Sequence, residues 1–312
     1  MKRSSIILFA FFILLTGKSF SGENIFSVKG TKTYLNNKEF LVIGLRCSNA
    51  LISDETTTNL IDHLDLYQSF GVNTVSVFFQ GSRFGDVKGY NEDGSLNPLY
   101  PKRMAKIIEA CDDRGMVVLV GCLYWGGSKG KWESWTQKEA NAAVANTVKW
   151  LSENNYRNVF VDPDNEGMAN RAKGFSIEEM IATGKNVDDK IVIGYNNHGF
   201  PPTNADLALH FSDKPEYKHY IESEGTMTDY WGAYSKEKGV YNYINVGVYT
   251  EGKKQEQIER TDKHLKNGMG YIFASTWLQC IPTKNDPGGD GTYCDPGILW
   301  WLEHIKNNYK TE

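Results

Sequence analysis

The sequence predicts an α/β chain folded as a single (β/α)8 TIM barrel, with an N-terminal β-hairpin closing the barrel floor. Three observations point there. Strand-like and helix-like apolar segments alternate eight times along the chain. The strand segments are near-continuous apolar runs, the pattern of a parallel sheet buried on both faces. No Gly-rich dinucleotide fingerprint is present, which favours a closed barrel over an open doubly wound sheet. The 312 residues are 40% hydrophobic and 23% charged, which suits a large packed core and excludes disordered and coiled-coil chains.

Residues 1–21 read as a secretory signal peptide. Lys2 and Arg3 precede an apolar run over 6–15, and Ser19 and Ser21 precede the expected cut. That run is shorter than the ~20 residues a bilayer needs, so no membrane insertion is expected after cleavage. The mature chain, 22–312, is read as the barrel domain of an exported protein, secreted or periplasmic. Loss of Lys2, Arg3 and Lys18 shifts its net charge from −4 to −7. No basic stripe is present to hold phosphates, so nucleic acid is not an expected partner.

Residues 26–39 alternate around Asn36-Asn37, a hairpin signal. The first strand is expected over 39–46. Leu60, Ile61, Leu64, Tyr67 and Phe70 then recur at helical spacing and stop at Gly71. A second strand over 73–79 leads to a helix marked by Met104, Ile107, Ile108 and Cys111. The third strand, 116–124, precedes a helix marked by Ala140, Ala143, Val144, Thr147, Val148 and Leu151. The fourth strand covers 158–162, and a short helix over 176–185 is capped by Ser176. Strands five and six are expected over 190–195 and 207–211. Residues 215–239 are aromatic and irregular. The seventh strand is expected over 243–249, followed by a charged helix over 253–266, the eighth strand over 270–276 and a last helix over 299–308.

In such a barrel the reactive groups follow the C-terminal ends of the strands. Those positions hold Arg46 and Asn49, then Gln80 and Arg83, then Trp125. Next come Asn165 and Glu166, Asn197 and His198, and His210; Tyr249 and Glu251 follow, and finally Trp277. The rim is rich in carboxylates, amides and aromatic rings, the groups that bind and cleave sugars. Glu166 and Glu251, after strands four and seven, would face each other across the mouth. Glycoside cleavage needs such a pair, one to protonate the leaving oxygen and one to attack or to activate water. A single Glu in a loop is usually a solvated charge; two at matching strand ends, one in an Asn-Glu pair, favour function. Asn165 is placed to hold a sugar hydroxyl. Glu222 and Glu224 compete with Glu251, but fewer apolar residues precede them. Trp125, Trp132, Trp135 and Trp231 fall in or near rim loops, where a ring can stack on a sugar.

The segment 162–167, Asp-Pro-Asp-Asn-Glu-Gly, resembles the Asn-Glu motif of glycoside hydrolase clan A, the group that contains cellulase-like glycoside hydrolase family 5. Residues 249–252 look like that group's strand-seven nucleophile, 270–277 like its eighth strand, 30–49 like its entry hairpin and first strand, and 71–77 like its second strand. The resemblance implies a retaining glycoside hydrolase with Glu166 as general acid/base, Glu251 as nucleophile and Trp277 as a subsite floor. Two positions depart from the pattern. Ser76 stands where the family has Arg, and 121–124 lack the His expected after strand three. Arg46 or Arg83 is the candidate replacement cation, and His210 matches the family's strand six.

The implied substrate is a polysaccharide or oligosaccharide, with no cofactor. Two other readings stay open: a carbohydrate-binding barrel that has lost catalysis, and a polysaccharide lyase using Tyr249. His198 and His210 show no metalloenzyme spacing, and 285–295 does not match a twelve-residue calcium loop. No nucleophile elbow or phosphate loop occurs. Of five cysteines, Cys111 and Cys122 read as buried thiols, and Cys280 and Cys294 bracket a loop that a disulfide would staple.

Overall fold

The computed structural model describes residues 24–81, 87–126, 131–225, 251–275 and 297–310, and the backbone of 234–235 and 240–241. It opens with an antiparallel meander of β1 (Phe26–Lys29), β2 (Lys32–Leu35) and β3 (Lys38–Glu39). The expected hairpin is therefore half of a three-stranded unit. Asn36 and Asn37 make its second turn at φ 52° and 63°, the left-handed pair that a tight turn between twisted strands requires. The meander closes the floor: Phe26 stacks on Phe160 at 5.1 Å between ring centroids and joins Val42, Val117, Leu207 and Ile221 in the barrel interior.

Eight parallel strands form the closed barrel. The first seven are β4 (Ile43–Arg46), β5 (Thr74–Phe78), β6 (Val117–Leu123), β7 (Val159–Asp164), β8 (Val192–Tyr195), β9 (Leu207–Leu209) and β10 (Tyr220–Gly225). A small outer pair, β11 (Tyr234–Ser235) and β12 (Val240–Tyr241), precedes the eighth barrel strand, β13 (Gly270–Phe273), which pairs with both β10 and β4. Around them lie α1 (Asp54–Asp62), α2 (Leu64–Ser69), α3 (Leu99–Asp112), α4 (Gln137–Glu153), α5 (Met168–Lys173), α6 (Ile177–Val187), α7 (Glu251–Leu265) and α8 (Leu299–Asn308). The helical faces read from the sequence are the buried ones: Leu64, Tyr67, Met104, Ile107, Val144 and Leu151 pack against the outside of the strands. The Ser176 cap also forms, its hydroxyl accepting the Glu179 N–H at 3.2 Å.

One strand differs from the sequence reading. The seventh barrel position belongs to β10, in which Ile221 lies opposite Leu209 on one side and Gly270 on the other. The expected seventh strand, 243–249, lies outside the described residues and does not hold that place. The physical reason is that β10 buries carboxylates. Its Tyr-Ile-Glu-Ser-Glu-Gly sequence is wholly buried yet reads as polar, because its charges are paired inside the barrel rather than solvated.

Gly121 shows how the interior is shaped. It lies opposite Phe78, and a Cβ there would sit 1.9 Å from the Phe78 ring. The missing side chain lets that ring lie in the barrel, where it supports the active-site cation described below. Cys47, Cys111 and Cys122 are buried free thiols, and burial pushes Cys47 and Cys122 up to about 12. Cys280 and Cys294 lie outside the described residues. No helix among the described residues is long and apolar enough to cross a membrane.

Candidate active site

At the mouth of the barrel, β7 ends in a turn that fixes Glu166. Asp164 is extended, and Glu166 and Gly167 then adopt consecutive left-handed conformations at φ 55° and 60°. Gly167 is required there: besides its positive φ, a Cβ would lie 2.2 Å from Asn197 Oδ1. Both Asp164 carboxylate oxygens accept N–H groups at 2.9 Å, from Ala169 and Asn170, which ties the turn to the start of α5. The short chain reversal aims the half-buried Glu166 side chain into the mouth.

Facing it is Glu224 of β10. An oxygen of each carboxylate and a ring nitrogen of His210 all lie within 4.8 Å of one another. Burial, then the neighbouring charge of Glu224 and a hydrogen bond to it, push Glu166 up to about 8, so that it holds its proton at neutral pH. Glu224 faces a cation instead: Arg46 Nη2 lies 3.0 Å from its Oε2, with both side chains buried. Arg46 also donates to Asn165 Oδ1 at 2.8 Å and to the Ser223 carbonyl at 3.1 Å. Its guanidinium lies 4.8 Å from the Phe78 ring centroid and 5.6 Å from that of Tyr124, so two aromatic faces hold it flat. Asn165 Nδ2 is buried with no hydrogen-bond partner among the described residues.

The strand register shifts between Glu222 and Gly225. Such a bulge re-aims neighbouring side chains: Glu224 meets Arg46, while Glu222 meets His210 Nδ1. Behind these groups Asp162 accepts from Asn196 Nδ2 at 2.8 Å, and burial pushes it up to about 6 despite that bond.

Two carboxylates and an imidazole are also the donor types of a divalent-metal site. Here, however, a Glu224 oxygen already faces the Arg46 guanidinium and His210 Nδ1 is engaged by Glu222. A fixed cation thus supplies charge where an ion would bring it.

Several expected residues meet in this arrangement: Arg46, Asn165, Glu166 and His210. Gln80 is buried behind them, its Oε1 accepting the Tyr124 N–H at 2.9 Å, and Asn49 is buried in the loop after β4. Asn197 supports the Glu166 turn and bonds Asn170 at 3.3 Å. His198 is exposed and stacks on Phe211 at 4.8 Å. Trp125 requires correction as a sugar platform. It is only 2% exposed and packs against Trp135 and Phe175, so it has no free face; Trp135 is buried in the same way. Glu251 requires correction in position. It is the first residue of α7 rather than the end of a barrel strand, its side chain is 90% exposed, and it pairs with Lys254 at 2.8 Å. Tyr249, Trp277, Arg83 and Trp231 lie outside the described residues.

The sequence reading places both Glu222 and Glu224 below Glu251 as candidate nucleophiles. The signal for both was the Glu-x-Glu spacing after Tyr220 and Ile221. It was masked by the more regular apolar alternation of 240–249.

Beside the Glu166 turn, a groove of about 550 Å³ runs along the β8 rim, lined by Asn170, Tyr195, Asn197, Phe200 and Thr203 among others. Phe200 is 67% exposed.

No family model and no curated protein matches the chain. Solved structures do. A β-glucanase from Saccharophagus degradans, determined with cellotetraose, superposes with a TM-score of 0.58 at 15% identity, covering 92% of this chain and 94% of that one. A glycoside hydrolase family 5 protein from Bacteroides vulgatus gives 0.57 at 14% identity, over 91% of this chain and 68% of the other. A β-1,4-D-mannanase from Cryptopygus antarcticus gives 0.55 at 9% identity, over 92% and 96%. At these identities the likeness is one of fold. The chain has the (β/α)8 fold of these glycoside hydrolases.

Proposed function

We propose that the protein is an exported retaining glycoside hydrolase acting on a polysaccharide or oligosaccharide, with Glu166 as general acid/base and Glu224, in place of Glu251, as nucleophile. The observation that carries this reading is that an oxygen of Glu166 and an oxygen of Glu224 lie within 4.8 Å of each other, the first on a carboxyl held protonated by burial and the second on a carboxylate facing Arg46. Retaining enzymes hold their carboxyl groups about 5–5.5 Å apart, whereas inverting enzymes leave about 6.5–9.5 Å for a water. The spacing here supports retention.

In the first step the Glu224 carboxylate attacks the anomeric carbon while Glu166 gives its proton to the departing glycosidic oxygen. A glycosyl ester on Glu224 results. In the second step Glu166, now a carboxylate, takes a proton from water. That water's oxygen attacks the anomeric carbon, and the Glu224 ester bond breaks. Arg46 faces the nucleophile throughout, in the role that the family's strand-two Arg would otherwise fill. Asn165, with its Oδ1 held by Arg46, has no partner for Nδ2 among the described residues and can donate it to a sugar hydroxyl. The β8 groove is read as a continuation of the sugar path, with Phe200 as a stacking face. Export rests on the residues 1–21 pattern, and β-linked glucans and mannans, named for the similar structures, are the first substrates to try.

The test is a screen of neutral, uronic and sulfated polysaccharides followed by trapping with a fluorinated glycoside that slows the second step. The covalent sugar should sit on Glu224. Glu224→Gln should lose ~10³-fold or more in turnover, as loss of a nucleophile does, while Glu251→Gln should match the wild type. A label on Glu251 overturns the assignment. Inversion of the anomeric configuration removes the nucleophile role. Binding without turnover favours a carbohydrate-binding barrel.

A further inference from the structure

Glu222 is a buried carboxylate that the reaction above does not use. It lies on β10 two residues before Glu224 and is 4% exposed. Burying an anion is costly unless it is paired and hydrogen-bonded, and Glu222 is both. Its Oε1 meets His210 Nδ1 and accepts the Glu224 N–H at 3.3 Å; its Oε2 lies 3.3 Å from the Tyr220 hydroxyl. The Tyr220 hydroxyl has one hydrogen, which goes chiefly to the His210 carbonyl at 2.6 Å and is at most shared with Glu222 Oε2. His210 is placed between this carboxylate and the catalytic glutamates, since a ring nitrogen lies within 4.8 Å of oxygens of Glu166 and Glu224.

We propose that Glu222 is a positioning residue. By accepting the Nδ1 hydrogen of His210 it fixes the ring as an imidazolium beside Glu166 and Glu224. The mouth then contains two cations, Arg46 and His210, against two anions, Glu222 and Glu224, which leaves Glu166 neutral and ready to donate. This rests on the cleavage reading above.

The surrounding charges agree. Four carboxylates act on His210: Glu222 and Glu224 from β10, Glu166 from the end of β7, and Asp162 within β7. Burial alone would lower His210, but their combined charge outweighs it and raises the imidazole above its ordinary value. Glu222 faces His210 and Tyr220, Tyr271 on β13, Lys214 after β9, and Arg260 and His264 on α7. Burial alone would raise Glu222; His210 first, then Arg260 and His264, hold it below the ordinary carboxylate range. Arg260 is the rival counter-ion, but it stands 3.9 Å away with its side chain 39% exposed, while His210 makes a direct hydrogen bond.

The sign of one measurement separates the possibilities. If Glu222 acts through the His210 charge, Glu222→Gln makes the ring neutral near pH 7. Glu166 then loses a neighbouring cation and keeps its proton to higher pH. The alkaline limb of kcat/KM should move up by roughly one pH unit, a tenfold change in proton affinity. If Glu222 is only a nearby anion, its removal moves that limb down. If it is merely structural, the limb stays and the rate falls by a flat factor. Either of these last two results overturns the proposal. The paired measurement is the imidazole titration of His210 by NMR in the full chain. The wild-type midpoint should lie above ~6.5 and should drop in Glu222→Gln. A wild-type midpoint at or below that value overturns the proposal even if the variant does not fold. An unchanged midpoint in a folded variant does so too. Absence of turnover on every glycan would remove the cleavage reading, and the titration alone would then decide whether Glu222 holds His210 charged.

Discussion

Glu166 stands at a left-handed backbone position next to a second carboxylate, and both circumstances define what it can do. The turn aims it into the mouth, and burial beside Glu224 keeps its proton to about pH 8. An acid with that affinity is loaded at neutral pH and close enough to it to give the proton up. Glu166→Gln keeps the shape and loses the proton. Turnover should fall by about 10²–10⁴-fold with little change in substrate affinity, as steady-state kinetics and calorimetric binding would show. Turnover near wild type would remove Glu166 from the reaction. This residue was legible in the sequence because Asn-Glu follows an apolar strand. Its partner was not, because nothing local distinguishes Glu224 from a solvated acid. Only closure of the barrel brings β10 opposite β7 and Arg46 beside it.

Among the elements, seven of the eight barrel strands stand where the apolar runs place them, with ends shifted by a few residues. They were readable because their side chains meet core on both faces, so periodicity and burial coincide. In β10 they part: Glu222, Ser223 and Glu224 are polar yet buried, the two carboxylates paired with His210 and Arg46, and an apolar-pattern reading passes over them. Trp125 errs in the opposite direction. Its place in a rim loop suggested exposure, while its contacts with Trp135 and Phe175 make it core. The β8 rim illustrates a third case, in which an exposed ring has no packing role. If the groove there binds sugar, Phe200→Ala removes a stacking face worth about 1 kcal/mol. Catalytic efficiency on long oligosaccharides should then fall several-fold, with the shortest cleavable substrate unaffected. An equal loss on both, or none on either, would detach Phe200 from binding.

For the molecule as a whole, the raised carboxyl couples the site to stability. Unfolded, Glu166 loses its proton near pH 4.3; folded, it keeps it to about 8. A carboxyl raised in this way contributes its stability in full below the unfolded value. That contribution is lost as pH rises through the folded one. Asp164, pushed up to about 7 by burial, acts in the same direction. His219 and His264, which burial lowers, oppose it only until the unfolded imidazoles have titrated, about one unit above ~6.5. The thermal midpoint should therefore decline from about pH 7.5 to 8.5, and Glu166→Gln should flatten the decline. A midpoint that rises over this interval, or an equal slope in the variant, would contradict the assignment.

The left-handed turn at Glu166 also carries a cost to the fold. A residue with a Cβ in that conformation costs about 1–2 kcal/mol relative to a relaxed one, and burial of the Glu166 carboxyl adds to that cost. Glycine or asparagine would sit there with less strain and no carboxyl to bury. Glu166→Asn should therefore raise the thermal midpoint, by roughly 2–4 °C for each kcal/mol regained, while removing the proposed acid, and calorimetry read beside the glycan screen would show whether fold and function pull apart at this turn.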